Sequence, residues 1–450
     1  MMRRHLARLR LAAPLLALAA ASGACRTGAP PQADGGSDSV PAPTGQSTAA
    51  PAAPAAPRAS AGVLTGLEVL IRDSLHLVRG KRVGLITNQT AVTSTGEHAV
   101  DVLARAPGVR LVALYGPEHG VRGTVEAGEH IGTQRDERTG VTVFSLYGDT
   151  QKPTAQMLRG VDVLVFDIQD IGARPYTFVW TMAMAMEVAA AQRIPFVVLD
   201  RPNPITDEAD GPLMQMEIKT ERIGQPITGY YPVPLRHGMT SGEVARYVNG
   251  EFRVGADLHV VPAAGWEGDE WFDDTGLRWI NPSPNIRSLD AALKYAGMVL
   301  IEGTNLTVGR GTEAPFTYVG APWMDAPRVL AAVRPYNLEG VRIDTVRLVP
   351  QGTGYIPYRG EQVRALRLTV TDREKWDPAY TALVLLTETK RLHPTQLKVE
   401  NEGFTQMLGS KWARAAFDRG EDPRVINQRW QQELAAWMPI REKYRMYPKD

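Results

Sequence analysis

The chain has 450 residues, 44% of them hydrophobic, with 50 Lys and Arg against 49 Asp and Glu. That length suits two domains with a sizeable core, and a formal charge of +1 leaves no basic footprint for nucleic acid. A single cysteine, Cys25, excludes an intramolecular disulfide.

The chain opens on a targeting pattern: basic "MMRRHLARLR", apolar "LAAPLLALAAA", then "SGAC" ending at Cys25. The apolar run is too short to span a bilayer, so residues 1–25 read as a secretory signal. The cysteine at its end resembles a lipoprotein cleavage site, although Ser22 stands where such sites usually carry Leu. Residues 26–61 are Pro, Ala, Gly and Ser without aromatics and read as a disordered tether. This predicts an exported protein, periplasmic or held at a membrane only through a lipid on Cys25.

Strands and helices then alternate. "RVGLIT" (82–87), "VRLVAL" (109–114), "VTVFSL" (141–146), "VDVLVFDI" (161–168), "IPFVVLD" (194–200) and "LHVVPA" (258–263) read as strands. Residues 97–106, 154–160, 177–193 and 240–250 read as helices, the last with a Thr/Ser cap and Glu243 in its first turn. The methionines of "TMAMAM" read as core packing. Continuous apolar strands separated by helices predict a parallel sheet covered on both faces. The fold class is α/β, a Rossmann-like open, mostly parallel sheet spanning 62–310. Strands at 341–350 and 361–372 and helices at 377–392 and 426–445 predict a smaller α+β C-terminal domain over 311–450.

In such a sheet, ligands bind beyond the carboxyl ends of the strands. The strand exits supply Asn88, then Glu118, His119 and Arg122, then Asp167, Gln169, Asp170, Arg174 and Tyr176, then Asp200, Arg201 and Asn203. Each has a bland alternative: Asp170 as a cap, Asp200 and Arg201 as a salt bridge, His119 as a structural histidine. Several polar exits on one edge still predict a site. Farther on, His237 precedes a helix start, "WINPSPNIRS" offers Asn285, and Gly-rich "IEGTNLTVGRGTEAPF" offers Glu302, Asn305, Arg310 and Glu313. No nucleophile elbow, phosphate loop, dinucleotide fingerprint or paired metal histidines appear. Carboxylates, His, Arg and Tyr suit a sugar pocket, where an acid protonates the leaving oxygen.

The blocks "GLITNQT", "YGPEHGVRG", "VDVLVFDIQDIGARPYTF", "VLDRPNPI", "HGMTSGEVA", "NPSPNI" and "EGTNLTVGRGTEAPF" together resemble the bacterial exo-β-N-acetylmuramidase family (glycoside hydrolase family 171). The resemblance runs from about residue 64 to the C-terminus. It implies release of terminal N-acetylmuramic acid from the non-reducing end of peptidoglycan fragments, in cell-wall turnover and recycling, without metal or organic cofactor. It also implies a Rossmann-like domain and a smaller one flanking the site. The acid carried over is Glu118, with His119 beside it, and the tyrosine is Tyr176. Arg174 or Arg310 would meet the lactyl carboxylate. Asp167, Asp170 or the substrate's own acetamide would be the second catalytic group. A tethered receptor that captures muropeptides without cleaving them fits the same layout.

Overall fold

The computed structural model describes residues 62–118, 120–123, 132–148, 150–220 and 227–447. The signal and tether readings, Cys25 and His119 lie outside them. The chain begins with the short helix α1 (Gly66–Val69), then β1 (Arg82–Thr87), α2 (Ala99–Arg105), β2 (Arg110–Gly116), β3 (Gln134–Arg135), β4 (Thr142–Ser145) and β5 (Val163–Asp167). There follow α3 (Phe178–Gln192), β6 (Phe196–Leu199), the two-residue strands β7 (Ala209–Asp210) and β8 (Arg236–His237), α4 (Ser241–Glu251) and β9 (Leu258–Val261). These strands form a seven-stranded sheet in the order β3-β4-β2-β1-β5-β6-β9, apart from β7 and β8, which pair with each other. Every pairing in the large sheet is parallel except that of β3, an antiparallel edge. Without β3 the order is that of a doubly wound nucleotide-binding sheet, with its switch point between β1 and β5.

Both faces are covered, as the continuous apolar strands require. Leu67 and Leu70, with Ala99 and Leu103 of α2, pack on Leu85, Val163 and Val197 on one face. On the other face α3 is buried almost throughout its first three turns, including Met182, Met184 and Met186. A helix apolar all round belongs inside, so the methionines are core residues. Residues 154–160, expected as a helix, form turns instead. The run ends at Gly160, at φ +80°, and is too short to nucleate one.

The C-terminal part holds α5 (Leu289–Met298), β10 (Tyr318–Ala321), α6 (Ala326–Val333), β11 (Val341–Leu348), β12 (Val363–Val370), α7 (Pro378–Leu392), α8 (Asn401–Leu408), α9 (Lys411–Arg419) and α10 (Pro423–Glu442). Its small antiparallel sheet runs β10-β12-β11. Asp377 and Asp422 cap α7 and α10 by accepting from Tyr380 and Arg424 N–H at 2.6 and 2.8 Å, each with Pro at the first helical position. One apolar core joins α3 and α4 to Leu293, Leu383, Phe404 and Trp430.

The start of α4 is the expected capping box. Thr240 accepts from the Glu243 N–H at 3.1 Å, and the Glu243 carboxylate accepts from the Thr240 N–H at 3.0 Å. The Glu243 carboxyl is buried beside Asp200. Burial raises its pKa to about 7 from 4.5, against opposing bonds from the Met446 and Thr240 N–H groups. An acid raised on folding stabilises the fold fully below pH 4.5, and that contribution is lost as pH climbs through 7. Glu243→Gln should therefore gain stability relative to the wild type between pH 5 and pH 8, on the order of 1–3 kcal/mol. Urea unfolding at the two pH values checks this; an unchanged difference between the proteins would contradict it.

Candidate active site

Strand β2 breaks off at Gly116, and the chain doubles back at once: the Gly120 N–H reaches the Pro117 carbonyl at 2.9 Å. A side chain at Gly116 would press on the Gly120 and Val121 backbone at 3.0–3.2 Å. This turn lifts Glu118 to the carboxyl edge of the sheet, half-buried. At the next strand exit, after β4, Tyr147 hydrogen-bonds the Glu118 carboxylate. Burial first, and the Glu118 charge second, push its phenol up to about 12, so it stays a donor.

Glu118 borders a cavity of about 180 Å³. Tyr176, Asn285, Glu302 and Arg310 from the sequence reading share its wall, together with Ser283, Tyr295 and Phe316. Glu302 and Arg310 form a forked ion pair, Nε to Oε1 and Nη2 to Oε2, the second at 3.1 Å. Burial opposes the Arg310 charge, but Glu302 outweighs it and holds the guanidinium above its ordinary range. Nη1 makes no hydrogen bond among the described residues and so remains available. Tyr176 and Tyr295 meet edge to face at 5.7 Å, and burial pushes both phenols upward. Both therefore stay protonated donors at any working pH. The Tyr295 hydroxyl donates to the Pro175 carbonyl at 3.2 Å. Ser283 approaches the Tyr176 hydroxyl, which has no hydrogen bond of good geometry.

Most other residues of the sequence reading hold the edge together rather than face the cavity. Asp167 is fully buried and takes Arg201 in a fork at 2.6 and 3.2 Å, so neither is free for substrate. Arg201 thus pairs with Asp167, not with its neighbour Asp200. Asp200 accepts from Thr240, the Gly242 N–H and Tyr447 at 2.6–2.8 Å, and burial raises its pKa. Asn203 ties Met239 O and Ile205 N, and Asn88 caps Thr90. Gln169 donates to the Asp170 and Pro202 carbonyls. Arg122 is spent on Asp101 and Asp136, and Asn305 on the backbone at Gln396 and Lys398. Glu313 is exposed and lies outside the cavity wall.

Asp170 differs from Asp167. One oxygen accepts from the Gly172 N–H at 2.7 Å and from His237 Nε2 at 3.2 Å. His237 is held in the donating tautomer because its Nδ1 accepts the Met239 N–H. The other oxygen of Asp170 is buried without a hydrogen bond among the described residues; Asp170 does not line the cavity, but its charge reaches Tyr176 and Tyr295. Tyr147, Tyr295 and Phe316 were missed in the sequence. Tyr147 sits at a strand exit and the same rule would have found it; Tyr295 lies inside a helix and gives no such signal.

Arg174 is a correction. Its guanidinium is wholly buried and donates to the Thr228, Gln406 and Met407 carbonyls at 2.9, 3.2 and 2.6 Å. Burial pushes its pKa down to about 9. Gly409, at φ +74°, leaves it room: a Cβ there would sit 2.7 Å from Nη2. Arg174 therefore clasps backbone from both parts of the chain and does not offer itself to a carboxylate.

Two family models cover the folded chain, described as the N-terminal and C-terminal parts of exo-beta-N-acetylmuramidase NamZ, over residues 83–290 and 293–447. The chain is 40% identical over 387 residues to peptidoglycan beta-N-acetylmuramidase NamZ of Bacillus subtilis (strain 168), covering 86% of this chain and 91% of that one. Two solved structures of DUF1343-family proteins from Bacteroides fragilis NCTC 9343 are also similar. One superposes with TM-score 0.78 at 34% identity, the other with 0.70 at 27%, each over 86% of this chain and 99% of its own.

Arg174→Met should leave three buried carbonyls without donors. The expected cost is about 2–4 kcal/mol, read as a melting temperature lower by several degrees, with the KM of the folded enzyme unchanged. A weaker KM at unchanged melting temperature would return Arg174 to the site.

Proposed function

The chain belongs to the exo-beta-N-acetylmuramidase NamZ family, and on that premise we propose that it removes N-acetylmuramic acid from the non-reducing end of peptidoglycan fragments. The observation that carries this reading is a half-buried carboxyl, Glu118, bordering a cavity lined by phenols and one available guanidinium nitrogen. A cavity of about 180 Å³ at a sheet edge has room for one sugar, which suits a chain end. The basic, apolar and cysteine-ended N-terminus supports export and a lipid anchor, which would place the enzyme where such fragments arise.

In this reading Glu118 donates its proton to the glycosidic oxygen as the bond to C1 breaks. Tyr147 fixes the orientation of that carboxyl. Water then supplies hydroxide to C1 and a proton back to Glu118. The positive charge developing at C1 needs an acceptor. Asp170 lies behind the cavity wall and acts there only through its charge on Tyr176 and Tyr295, and Asp167 is spent on Arg201, so the substrate's own acetamide is the group that can reach C1. Arg310 receives the lactyl carboxylate through Nη1, while Glu302 holds the guanidinium plane. Tyr176 donates to a hydroxyl of the same sugar, and the Tyr295 oxygen accepts from one while its proton stays on the Pro175 carbonyl.

Two outcomes test this. Glu118→Gln should keep the melting temperature and cut sugar release from a muramic-acid glycoside by about 10²–10⁴-fold. Activity above about a tenth of wild type would remove the general-acid role. The double variant Glu302→Gln/Arg310→Met, which avoids stranding one charge, should weaken inhibition by N-acetylmuramic acid about 10- to 100-fold. Inhibition by N-acetylglucosamine, which lacks the lactyl group, should hold. Equal loss for both sugars would move the carboxylate away from Arg310.

A further inference from the structure

Strands β11 and β12 are neighbours in an antiparallel hairpin, yet residues 349–362 separate them. Ordinary hairpin loops take about two to five residues, and longer structureless ones are usually functional. This one is firmly anchored. Its neck closes where the Gly360 N–H meets the Pro350 carbonyl at 2.9 Å. The Gln351 N–H reaches the Gly311 carbonyl at 2.8 Å, and the Tyr358 hydroxyl reaches the Asn305 carbonyl at 2.5 Å. Both acceptors belong to the segment that carries Glu302 and Arg310. Gly311, at φ +81°, permits the contact, since a Cβ there would strike Gln351 O at 2.6 Å and Ile356 at 2.8 Å.

Between these anchors stands Tyr355, 77% exposed. Among the described residues it is the only exposed Phe, Trp or Tyr. It lies close enough to Glu302, Arg310 and Glu400 for their charges to act on its hydroxyl. It does not line the cavity. An exposed ring on a pinned loop beside a binding pocket is an apolar surface with no protein partner.

We propose that Tyr355 is a stacking platform for the saccharide unit next to the terminal one, outside the cavity. The inference rests on the muramidase reading. If the terminal N-acetylmuramic acid fills the cavity, the rest of the fragment must leave past its mouth. A β-linked pyranose presents a face of C–H groups, which matches the negative face of an aromatic ring. The ring would bind the fragment equally before and during bond cleavage, so its contribution belongs in KM rather than kcat.

The test compares two substrates: the disaccharide of N-acetylmuramic acid β-linked to N-acetylglucosamine, and N-acetylmuramyl fluoride, whose leaving group has no ring. Tyr355→Ala should raise the KM for the disaccharide about three- to tenfold with kcat retained, and leave the fluoride unaffected. Tyr355→Phe should restore the KM, since the face of the ring carries the contact. The platform is overturned by an unchanged disaccharide KM in the Ala variant, by equal impairment on both substrates, or by a Phe variant as poor as Ala. Failure of the wild-type protein to release sugar from either substrate would instead overturn the muramidase reading, and the platform with it. Tyr355 makes no core contact, so loss of folding does not confound the comparison.

Discussion

Between β1 and β5 the order of the large sheet reverses, so the chains leaving those two strands run to opposite sides and a crevice opens above them. Parallel strands all point the same way, and each one must end at that edge before crossing back. Every exit therefore delivers its side chains to one rim. The Gly116 turn brings Glu118 there from β2, Tyr147 arrives from β4, and Asp170 from β5. No nucleotide-binding glycine loop follows β1; its exit is "TNQT", whose side chains knit the crevice wall instead. The architecture is that of a nucleotide-binding sheet with the crevice given to another ligand, as the independence of fold and function allows.

A crevice of this kind needs walls that do not move, and the buried charges supply them. Asp167 with Arg201, Asp200 with its three donors, and Arg174 with its three carbonyls each fix loops that would otherwise have no core of their own. Such buried groups add little net stability, because desolvation cancels much of the attraction. Their contribution is geometric: each has one arrangement that satisfies its donors and acceptors. Arg174 is the clearest case, because Thr228 and Met407 come from parts of the chain far apart in sequence. Its guanidinium ties those two backbone segments together from behind, away from the cavity that Thr228 and Met407 also border.

The same logic explains what could be read from sequence. Strand runs such as "VDVLVFDI" declare themselves by composition, and Gly-Pro fences around Glu118 mark a turn without reference to the fold. The gathering of polar residues at one edge follows from parallel topology alone. What sequence does not carry is the assignment of partners. Arg174 and Arg310 are equivalent as letters; one is enclosed by carbonyls and the other is held by Glu302 with a nitrogen to spare. Asp167 and Asp170, three residues apart on the same exit, divide in the same way because Arg201 reaches only the first. Tyr295 enters the wall from inside α5, a position fixed by how the C-terminal part packs and by nothing local.

The groups left over once these partners are assigned lie in the cavity wall or directly behind it. Among the described residues, the Tyr176 hydroxyl, one oxygen of Asp170 and the Nη1 of Arg310 have no hydrogen-bond partner, and the first two are buried. An unsatisfied buried polar group costs about 1–3 kcal/mol, so a fold seldom keeps several close together without a use for them. A hydroxyl donor, a carboxylate acceptor and a cationic donor together are the complement of a sugar that carries hydroxyls, an amide N–H and a carboxylate. Their cost is borne by the free protein and recovered when such a sugar enters, which makes selectivity a property of the empty wall. On the proposed reading, a neutral sugar would leave Arg310 unanswered. Discrimination of this kind comes from groups left unpaired by the wrong ligand more than from extra contacts with the right one.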